Sequence, residues 1–234
     1  MLGFRGIFSQ KLELLNKAKN YFSQTYLMYT PDSIFSDNDS YYMQINNNGS
    51  EIKQYYDDNI FFAMVGDIYN HDILQLIRDE SNIKGQSLDF NKLSKIKFDG
   101  SYTFIVYEKT LSKIYIRSDE NTIIPTYYYL DKSKIIFSWN ILDIADIINN
   151  YKVDSFNIMT WLITGGRTFD DSTRFQKIKR LEPGENLIYE YGKVQKNKMK
   201  YFCYNRSDKS KDNLIHDMSN SLSNSIAKRT KNLN

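Results

Sequence analysis

The sequence contains few of the residue types that most often mark a function. Among 234 residues there are one cysteine, two histidines and three prolines. A single cysteine excludes an intramolecular disulfide and fits a reducing compartment, so we predict a cytoplasmic protein. The two histidines and the cysteine are far apart, which argues against a zinc site. No apolar run approaches the ~20 residues that a membrane-spanning helix needs, and the first residues lack the apolar core of a signal peptide.

Charge and loop motifs exclude further classes. A net charge of +3 is too small to indicate nucleic-acid binding. The chain has neither a G-x-G-x-x-G loop nor a Walker-type loop, which are the common phosphate-binding motifs. We therefore predict no nucleic acid and no membrane among the partners, and no cofactor or metal in this chain.

The hydrophobic pattern predicts an α+β protein. Two runs are apolar on both faces, Ile60 to Val65 and Ser101 to Tyr107, as expected of strands covered on both sides. We expect both to be buried, in facing or adjacent layers. Two stacked antiparallel sheets between helices would provide that cover, as would other α+β folds. The pattern further predicts strands over 3–8, 26–29, 41–45, 51–56, 112–118, 127–130, 134–138, 185–191 and 193–201, and helices over 11–22, 141–148 and 212–228.

Helix ends are predicted from capping residues. Asn70 can cap a helix carrying Ile73 and Ile77, and Ser155 can cap another that Gly165-Gly166 ends. The last helix has an apolar stripe at helical spacing, which predicts a docking or self-association surface. The stripe consists of Ile215, Met218, Leu222 and Ile226.

Four segments together resemble one family. The first, Val65-Gly66-Asp67-Ile68-Tyr69-Asn70-His71, ends the first two-sided strand in what we interpret as a tight turn before a helix. The others are Asp99 to Phe104, Ile123 to Tyr129 and Ile178 to Gly184. In this order they resemble the amino-terminal, type-2 glutamine amidotransferase domain of asparagine synthetases and their relatives, which reads N-G-E-I-Y-N-H at the first segment.

The three prolines support this resemblance, because each lies on a landmark of that family. Pro31-Asp32 resembles the end of R-G-P-D, Pro125 precedes an aromatic strand as in G-I-K-P-L-Y-Y, and Pro183-Gly184 resembles the L-P-P-G turn. The resemblance covers about residues 6–229. It implies an αββα sandwich of two antiparallel sheets, the fold of the N-terminal-nucleophile hydrolases.

The resemblance also implies a domain organisation. Residues 1–205 correspond to the amidotransferase-like domain, and residues 206–234 to a linker and helix that lead into an ATP-pyrophosphatase domain. The family announces that second domain with an S-G-G-x-D-S loop, which does not occur before Asn234. Gly165-Gly166 is not this loop, because Arg and Thr follow it and no apolar strand precedes it. ATP and magnesium are therefore expected only for a synthetase domain supplied in cis or in trans.

The nucleophile of the family is missing. In the family a Cys at the mature amino terminus attacks the substrate, and its own α-amine is the base. Matching Gly6-Ile7-Phe8 to C-G-I-F-G places Arg5 at the Cys position, with four residues ahead of it. Leu2 carries no nucleophile, and Cys203, the only thiol, matches no position of the site. We therefore predict no catalytic residue in this chain.

The substrate-binding positions are only partly retained. The family builds its oxyanion hole from an Asn side chain and the next Gly N–H, and here these positions are Val65 and Gly66. Asp67 stands where the family has a Glu that helps to hold glutamine, although it also suits a turn before a helix. The resemblance thus assigns Gly66 and Asp67 as the remaining substrate-binding residues.

Two clamps on glutamine are also altered. The family binds the carboxylate of glutamine with an Arg after R-G-P-D, but this chain has no Arg between Arg5 and Arg78. Lys53 could supply charge there without the bidentate fork. The S-D-x-E-V-I segment that binds the amino group is not recognisable, and Asp89 is the only nearby candidate.

Three functions follow as hypotheses. The first is a degenerate glutaminase-like domain kept as scaffold and docking surface for an ATP-dependent amide-forming domain. Lasso-peptide cyclases offer a parallel, since they resemble asparagine synthetases yet lack the Cys. The second is part of an asparagine synthase that hydrolyses glutamine or uses ammonia. The third is a domain that binds a precursor peptide through the lysine-rich hairpin over 185–201. Self-association as a homo-oligomer is compatible with each.

Overall fold

A computed structural model describes residues 2–25, 31, 33–36, 40–47, 52–81, 87–166, 170–190, 192–198 and 209–230. The strands in these ranges are β1 (Leu2–Ser9), β2 (Ser33–Ser36), β3 (Tyr41–Asn47), β4 (Lys53–Tyr56), β5 (Ile60–Ile68), β6 (Gly100–Glu108), β7 (Lys113–Ser118), β8 (Tyr127–Asp131), β9 (Lys134–Ser138), β10 (Lys179–Arg180), β11 (Glu185–Glu190) and β12 (Lys193–Lys198). The helices are α1 (Leu12–Gln24), α2 (Ile73–Ser81), α3 (Phe90–Lys95), α4 (Ile141–Ile148), α5 (Ser155–Ile163) and α6 (Lys211–Thr230).

The strands form two antiparallel sheets. Sheet I has the order β10-β8-β9-β1-β3-β2, and sheet II has the order β12-β11-β7-β6-β5-β4. Helices α1 and α4 cover the outer face of sheet I, while α2 and α3 cover the outer face of sheet II. The predicted αββα sandwich is therefore confirmed.

The core follows from the alternation of side chains along each strand. On β5, Phe61 enters the layer between the two sheets, where it stacks against Tyr41 of sheet I. Its neighbour Phe62 points the other way and packs with Phe104 and Ile77 beneath the helices of sheet II. A strand that buries both faces in this way needs apolar residues at successive positions, which explains its uninterrupted apolar run.

The placement of the two central strands differs from the prediction. β5 and β6 are both buried as expected, but they pair directly with each other in sheet II instead of lying in facing or adjacent layers. The connection between them contains α2 and α3, which pack on the outer face of sheet II. The chain therefore returns to the same sheet.

The cap of α2 was predicted at the wrong residue. Asn70 bridges to the segment between α3 and β6, donating to the Lys97 carbonyl at 2.9 Å and accepting from the Asp99 N–H at 2.8 Å. The side chain of Asp72 instead accepts from the Gln75 N–H at 3.1 Å and caps the helix. Both residue types suit a cap, and the tertiary contact of Asn70 decides between them.

The ends of α5 show a similar one-residue difference. Its cap is Asp154, which accepts from the Asn157 N–H at 3.1 Å, and not Ser155. Gly165 and Gly166 end the helix with φ values of +68° and +98°, as predicted. None of the helices in the described ranges is long and apolar enough to cross a membrane.

Candidate functional site

At the first family landmark, the backbones of the paired strands β5 and β6 approach each other closely. β5 does not turn at Val65 as predicted, but continues through Gly66 and Asp67 with β6 opposite. Gly66 has a φ of +88°, and a Cβ there would overlap the carbonyl oxygen of Ser101. A Cβ at Gly100 would likewise overlap the carbonyl oxygen of Asp67. Both positions require glycine because the two backbones approach too closely for any side chain.

Asp67 lies on the surface beside Lys53. The side chain of Asp67 is 62% exposed, and its carboxylate is 3.6 Å from the Lys53 ammonium on the neighbouring strand β4. It is a strand residue and not the turn residue before a helix that the sequence also allowed. The structure thus brings together Gly66, Asp67 and Lys53, the candidates on this side of the sandwich. Their role in binding glutamine stays a prediction.

The position of the oxyanion donor is apolar. Val65 is 1% exposed and packs in the core between the sheets, opposite Thr103 on β6. Its side chain carries no hydrogen-bond donor. The assignment of Val65 to the position of the oxyanion donor stays a prediction from the resemblance.

Arg5 is built into the layer of helices. It lies on β1, and its guanidinium donates to Gln44 Oε1 at 2.8 Å, to Thr25 Oγ1 at 2.9 Å and to the Phe22 carbonyl at 3.2 Å. The guanidinium carbon also lies 5.0 Å from the centre of the Phe22 ring. These contacts attach the end of α1 to sheet I.

A carboxylate on α4 completes this cluster. Asp143 Oδ1 lies 3.8 Å from the Arg5 guanidinium, and Asp143 Oδ2 accepts from the Ser138 hydroxyl at 2.7 Å. Burial raises the pKa of the Asp143 carboxyl, while the hydroxyl and the guanidinium act to lower it. Arg5 thus connects β1 with both helices of this layer.

Little space remains at the start of β1. A cavity of about 40 Å³ is lined there by Gly3, Arg5, Gln44 and Trp139, among others. The indole of Trp139 packs so closely that a Cβ at Gly3 would lie 2.5 Å from it. The cavity has room for a few water molecules and not for an amino acid.

The remaining candidates have other surroundings. Asp89 is the cap of α3, where its carboxylate accepts from the Asn91 and Lys92 N–H groups at 3.0 and 3.1 Å. Cys203 and the predicted strand over 26–29 lie outside the described residues. Within the ranges that the structure describes, no three His, Cys, Asp or Glu side chains are grouped so that they could hold a metal ion.

The lysines of the hairpin are paired with acids that sequence reasoning did not identify. Lys196 lies 2.7 Å from Asp171 and 3.2 Å from Glu185, and Lys198 lies 2.9 Å from Glu182. Burial acts to raise the pKa of the Asp171 carboxyl, but the hydrogen bonds from Lys196 and Lys179 lower it overall. No sequence signal links these acids to the lysines, because the pairs are formed by the tertiary structure.

Two solved structures resemble this chain. One is the glutamine phosphoribosylpyrophosphate amidotransferase from B. subtilis complexed with ADP and GMP, at 10% identity and a TM-score of 0.46, covering 86% of this chain and 50% of that one. The other is titled an allosteric regulatory enzyme of purine biosynthesis, at 11% identity and a TM-score of 0.51, covering 86% and 49%. The second shares the fold. The chain spans about half the length of each.

No curated protein sequence matches this chain. A family model does match, over residues 43–202, and its description is a glutamine amidotransferase domain. The match begins within β3 and runs through β12, and it includes the close approach at Gly66 and the lysine-rich hairpin. Because this match covers more than half of the chain, it shows the family: the chain belongs to the glutamine amidotransferase domains.

Proposed function

We propose that this chain is a glutaminase-like domain without glutaminase activity. In this proposal it serves as scaffold and docking surface for an ATP-dependent amide-forming domain of the asparagine-synthetase type, in cis or in trans. The carrying observation is the surroundings of Arg5. The residue that the resemblance places at the nucleophile position connects β1 with α1 and α4.

The chemistry at this position supports the proposal. A guanidinium stays protonated and cannot attack a carboxamide. Arg5 also lies inside a strand paired on both sides, with Gln44 on β3 and Ser138 on β9. In this class of enzyme the α-amine of the nucleophile acts as its base. An internal residue has no free α-amine and cannot be activated in this way.

The oxyanion donor and the space for substrate also support the proposal. Val65 replaces one oxyanion donor, and the loss of one such donor typically lowers kcat by ~10²–10³. The cavity beside Arg5 is about 40 Å³, which is too small to hold glutamine. These changes affect separate parts of the reaction, namely attack, charge stabilisation and substrate binding.

Helix α6 supports the docking role. Its apolar stripe is uncovered, with Ile215 54%, Met218 73%, Leu222 63% and Ile226 53% exposed. The last turn of α6 contacts the sandwich. There Lys228 pairs with Asp99 at 2.9 Å, and the Arg229 guanidinium lies 5.0 Å from the Tyr69 ring centre. The stripe is therefore held out from the sandwich, as a partner domain would require.

The hairpin lysines favour this role over the binding of an acidic precursor peptide. Lys196 and Lys198, which the hypothesis of a peptide-binding hairpin requires as free cations, already pair with Asp171, Glu185 and Glu182. A peptide carboxylate would have to displace these groups.

Stepwise reconstruction of the site tests the proposal. A chain that begins with Cys at position 5 restores the nucleophile and its amine, and we expect it to release no glutamate above background. Adding Val65→Asn and Asn46→Arg, on the strand that lines the cavity, should give measurable glutamate release. The matched control begins with Ala at position 5, and circular dichroism checks that each variant folds. Turnover by the variant with Cys alone would contradict the proposal, because it would show that the oxyanion hole and the clamp are already present.

A further inference from the structure

A second cavity lies on the outer side of sheet I, between α5 and the segment 172–180. Its volume is about 350 Å³, within the range of small-molecule sites. It shares no lining residue with the cavity beside Arg5. The lining includes Ile141, Ile158, Trp161, Leu162, Arg174 and Arg180.

The wall formed by the segment 172–180 is fixed by hydrogen bonds to the start of α5 and within itself. The Arg174 carbonyl accepts from the Asp154 N–H at 2.9 Å, and the Gln176 N–H donates to the Lys152 carbonyl at 3.0 Å. Inside the segment, the Thr173 hydroxyl donates to the Ile178 carbonyl at 2.7 Å. The two walls are therefore joined at one end, which gives a preformed cleft.

The wall formed by α5 is apolar and exposed. The helix has no charged residue over Ser155–Ile163. Trp161 is 52% exposed and Leu162 is 66% exposed, whereas Ile141 of α4 forms a buried floor at 5%. Large apolar side chains that face an open cavity in this way favour an apolar ligand.

The charge of the cavity has one sign. Among the described residues, its lining contains two arginines and no carboxylate. The nearby Asp171 is already held by Lys179 at 2.9 Å and by Lys196 at 2.7 Å. Arg174 is exposed, and it forms no ion pair with any described carboxylate. An anion that enters the cavity would meet cations without competition from an acid in the wall.

We propose that this cavity binds a ligand with an apolar body and a carboxylate group. The apolar body would lie against Trp161 and Leu162, and the carboxylate would face Arg174 and Arg180. Guanidinium groups bind carboxylates with two parallel hydrogen bonds, which fixes the orientation of the ligand. The same chemistry is offered by a free N-acyl amino acid and by the carboxyl terminus of a peptide with an apolar last residue.

The test compares two probes that differ only in charge. N-acetyl-L-phenylalanine and its amide are titrated into the whole chain by isothermal titration calorimetry, with the fluorescence of Trp161 followed in the Trp139→Phe variant. We expect saturable binding of the acid and at least about ten-fold weaker binding of the amide, because the amide forms no charge-assisted hydrogen bond. A short peptide ending in Phe forms a third arm. If the free acid binds, the small molecule suffices as ligand; if only the peptide binds, the ligand is a peptide terminus.

Matched variants locate the site. Arg174→Gln should weaken binding of the acid about ten-fold and leave the amide unchanged, whereas Leu162→Ser should weaken both. Lys177→Gln removes an exposed charge on the same segment outside the lining and should change neither. The proposal is overturned if neither the acid nor the peptide binds at millimolar concentration. It is also overturned if the amide binds as well as the acid, or if Arg174→Gln and Lys177→Gln have equal effects.

Discussion

The close approach of β5 and β6 at Gly66 and Gly100 and the cluster around Arg5 require opposite kinds of residue. At the close approach, two carbonyl oxygens occupy the space where side chains would stand, so Gly66 and Gly100 cannot be replaced by a residue with a Cβ. At Arg5, a long charged side chain is required, because its contacts join a strand to two helices. A family landmark can thus persist for steric reasons of the backbone, independently of any chemistry nearby. Retention of the first region is therefore no argument for activity at the second.

The largest effect on stability is expected at the close approach of β5 and β6. Gly66→Ala and Gly100→Ala should each lower the free energy of unfolding by about 2–4 kcal/mol, because the new methyl group overlaps a carbonyl oxygen of the paired strand. Urea unfolding measures this loss. Gly165→Ala is the matched control, since Gly165 also has a positive φ of +68° but no neighbour within 4 Å. Equal losses at Gly66 and Gly165 would attribute the effect at Gly66 to its positive φ alone. A Gly100→Ala chain as stable as the wild type would contradict the close approach directly, because Gly100 has no positive φ.

The second largest effect on stability is expected at the Arg5 cluster. Arg5→Met should lower the free energy of unfolding by about 2–3 kcal/mol, because it leaves Gln44 and the partly buried Asp143 without their cation. Lys17→Met, an exposed substitution on α1, is the control and should change it by less than about 0.5 kcal/mol. A double-mutant cycle with Asp143→Asn should show coupling of about 0.5–1.5 kcal/mol. An Arg5→Met chain as stable as the wild type would indicate that Arg5 is kept for a ligand and not for the fold.

A smaller, pH-dependent effect is expected at Asp171. Its pKa is lowered in the folded chain, so its contribution to stability is fully present above the unfolded pKa of about 3.9 and is lost as pH falls through the folded value. Asp171→Asn should therefore lower the free energy of unfolding by about 1–2 kcal/mol near neutral pH. The difference from wild type should close below pH ~4. Asp58→Asn, at an exposed carboxylate, is the control. A difference that stayed constant down to pH ~2 would mean that the ion pairs with Lys179 and Lys196 do not carry the effect.

The smallest effect on folding is expected on α6. Met218→Ser and Leu222→Ser should change the free energy of unfolding by less than about 0.5 kcal/mol, because both side chains are exposed. They should instead reduce self-association of the chain at high concentration, measured by light scattering, while Asn213→Ser should not. A wild-type chain that is monomeric at high concentration would count against a sticky docking surface.

The apolar pattern predicted that β5 and β6 are covered on both sides, because alternation along a strand turns such a run directly into two buried faces. The sandwich itself was implied by the family resemblance, since the pattern alone allowed other α+β folds. The pattern misplaced the end of β5, since a glycine in a strand pattern reads as a break. The partner that allows the strand to continue is Gly100, which lies far away in sequence. The prediction of the α2 cap was wrong for a related reason: Asn70 forms hydrogen bonds with the backbone of Lys97 and Asp99, which are distant in sequence.

The candidate site divides in the same way. The replacement of the nucleophile and of an oxyanion donor is visible in the sequence, because Arg5 and Val65 are the wrong residue types for those roles. The structural use of Arg5 could not be predicted, since Gln44 and Asp143 are 39 and 138 positions away. The cavity beside α5 was also missed: α5 lacks charge, but the arginines that complete the cavity come from the segment 172–180.

The central claim is that replacement of the nucleophile leaves this domain unable to hydrolyse glutamine. The most direct measurement is glutamate release by the purified wild-type chain supplied with glutamine, beside the Cys203→Ala variant. We predict that both give only the background rate, since neither holds a terminal thiol with its amine. Glutamate release that survives Cys203→Ala would contradict the account, because another nucleophile would have to exist. Release that Cys203→Ala abolishes would contradict it equally and would identify Cys203 as that nucleophile.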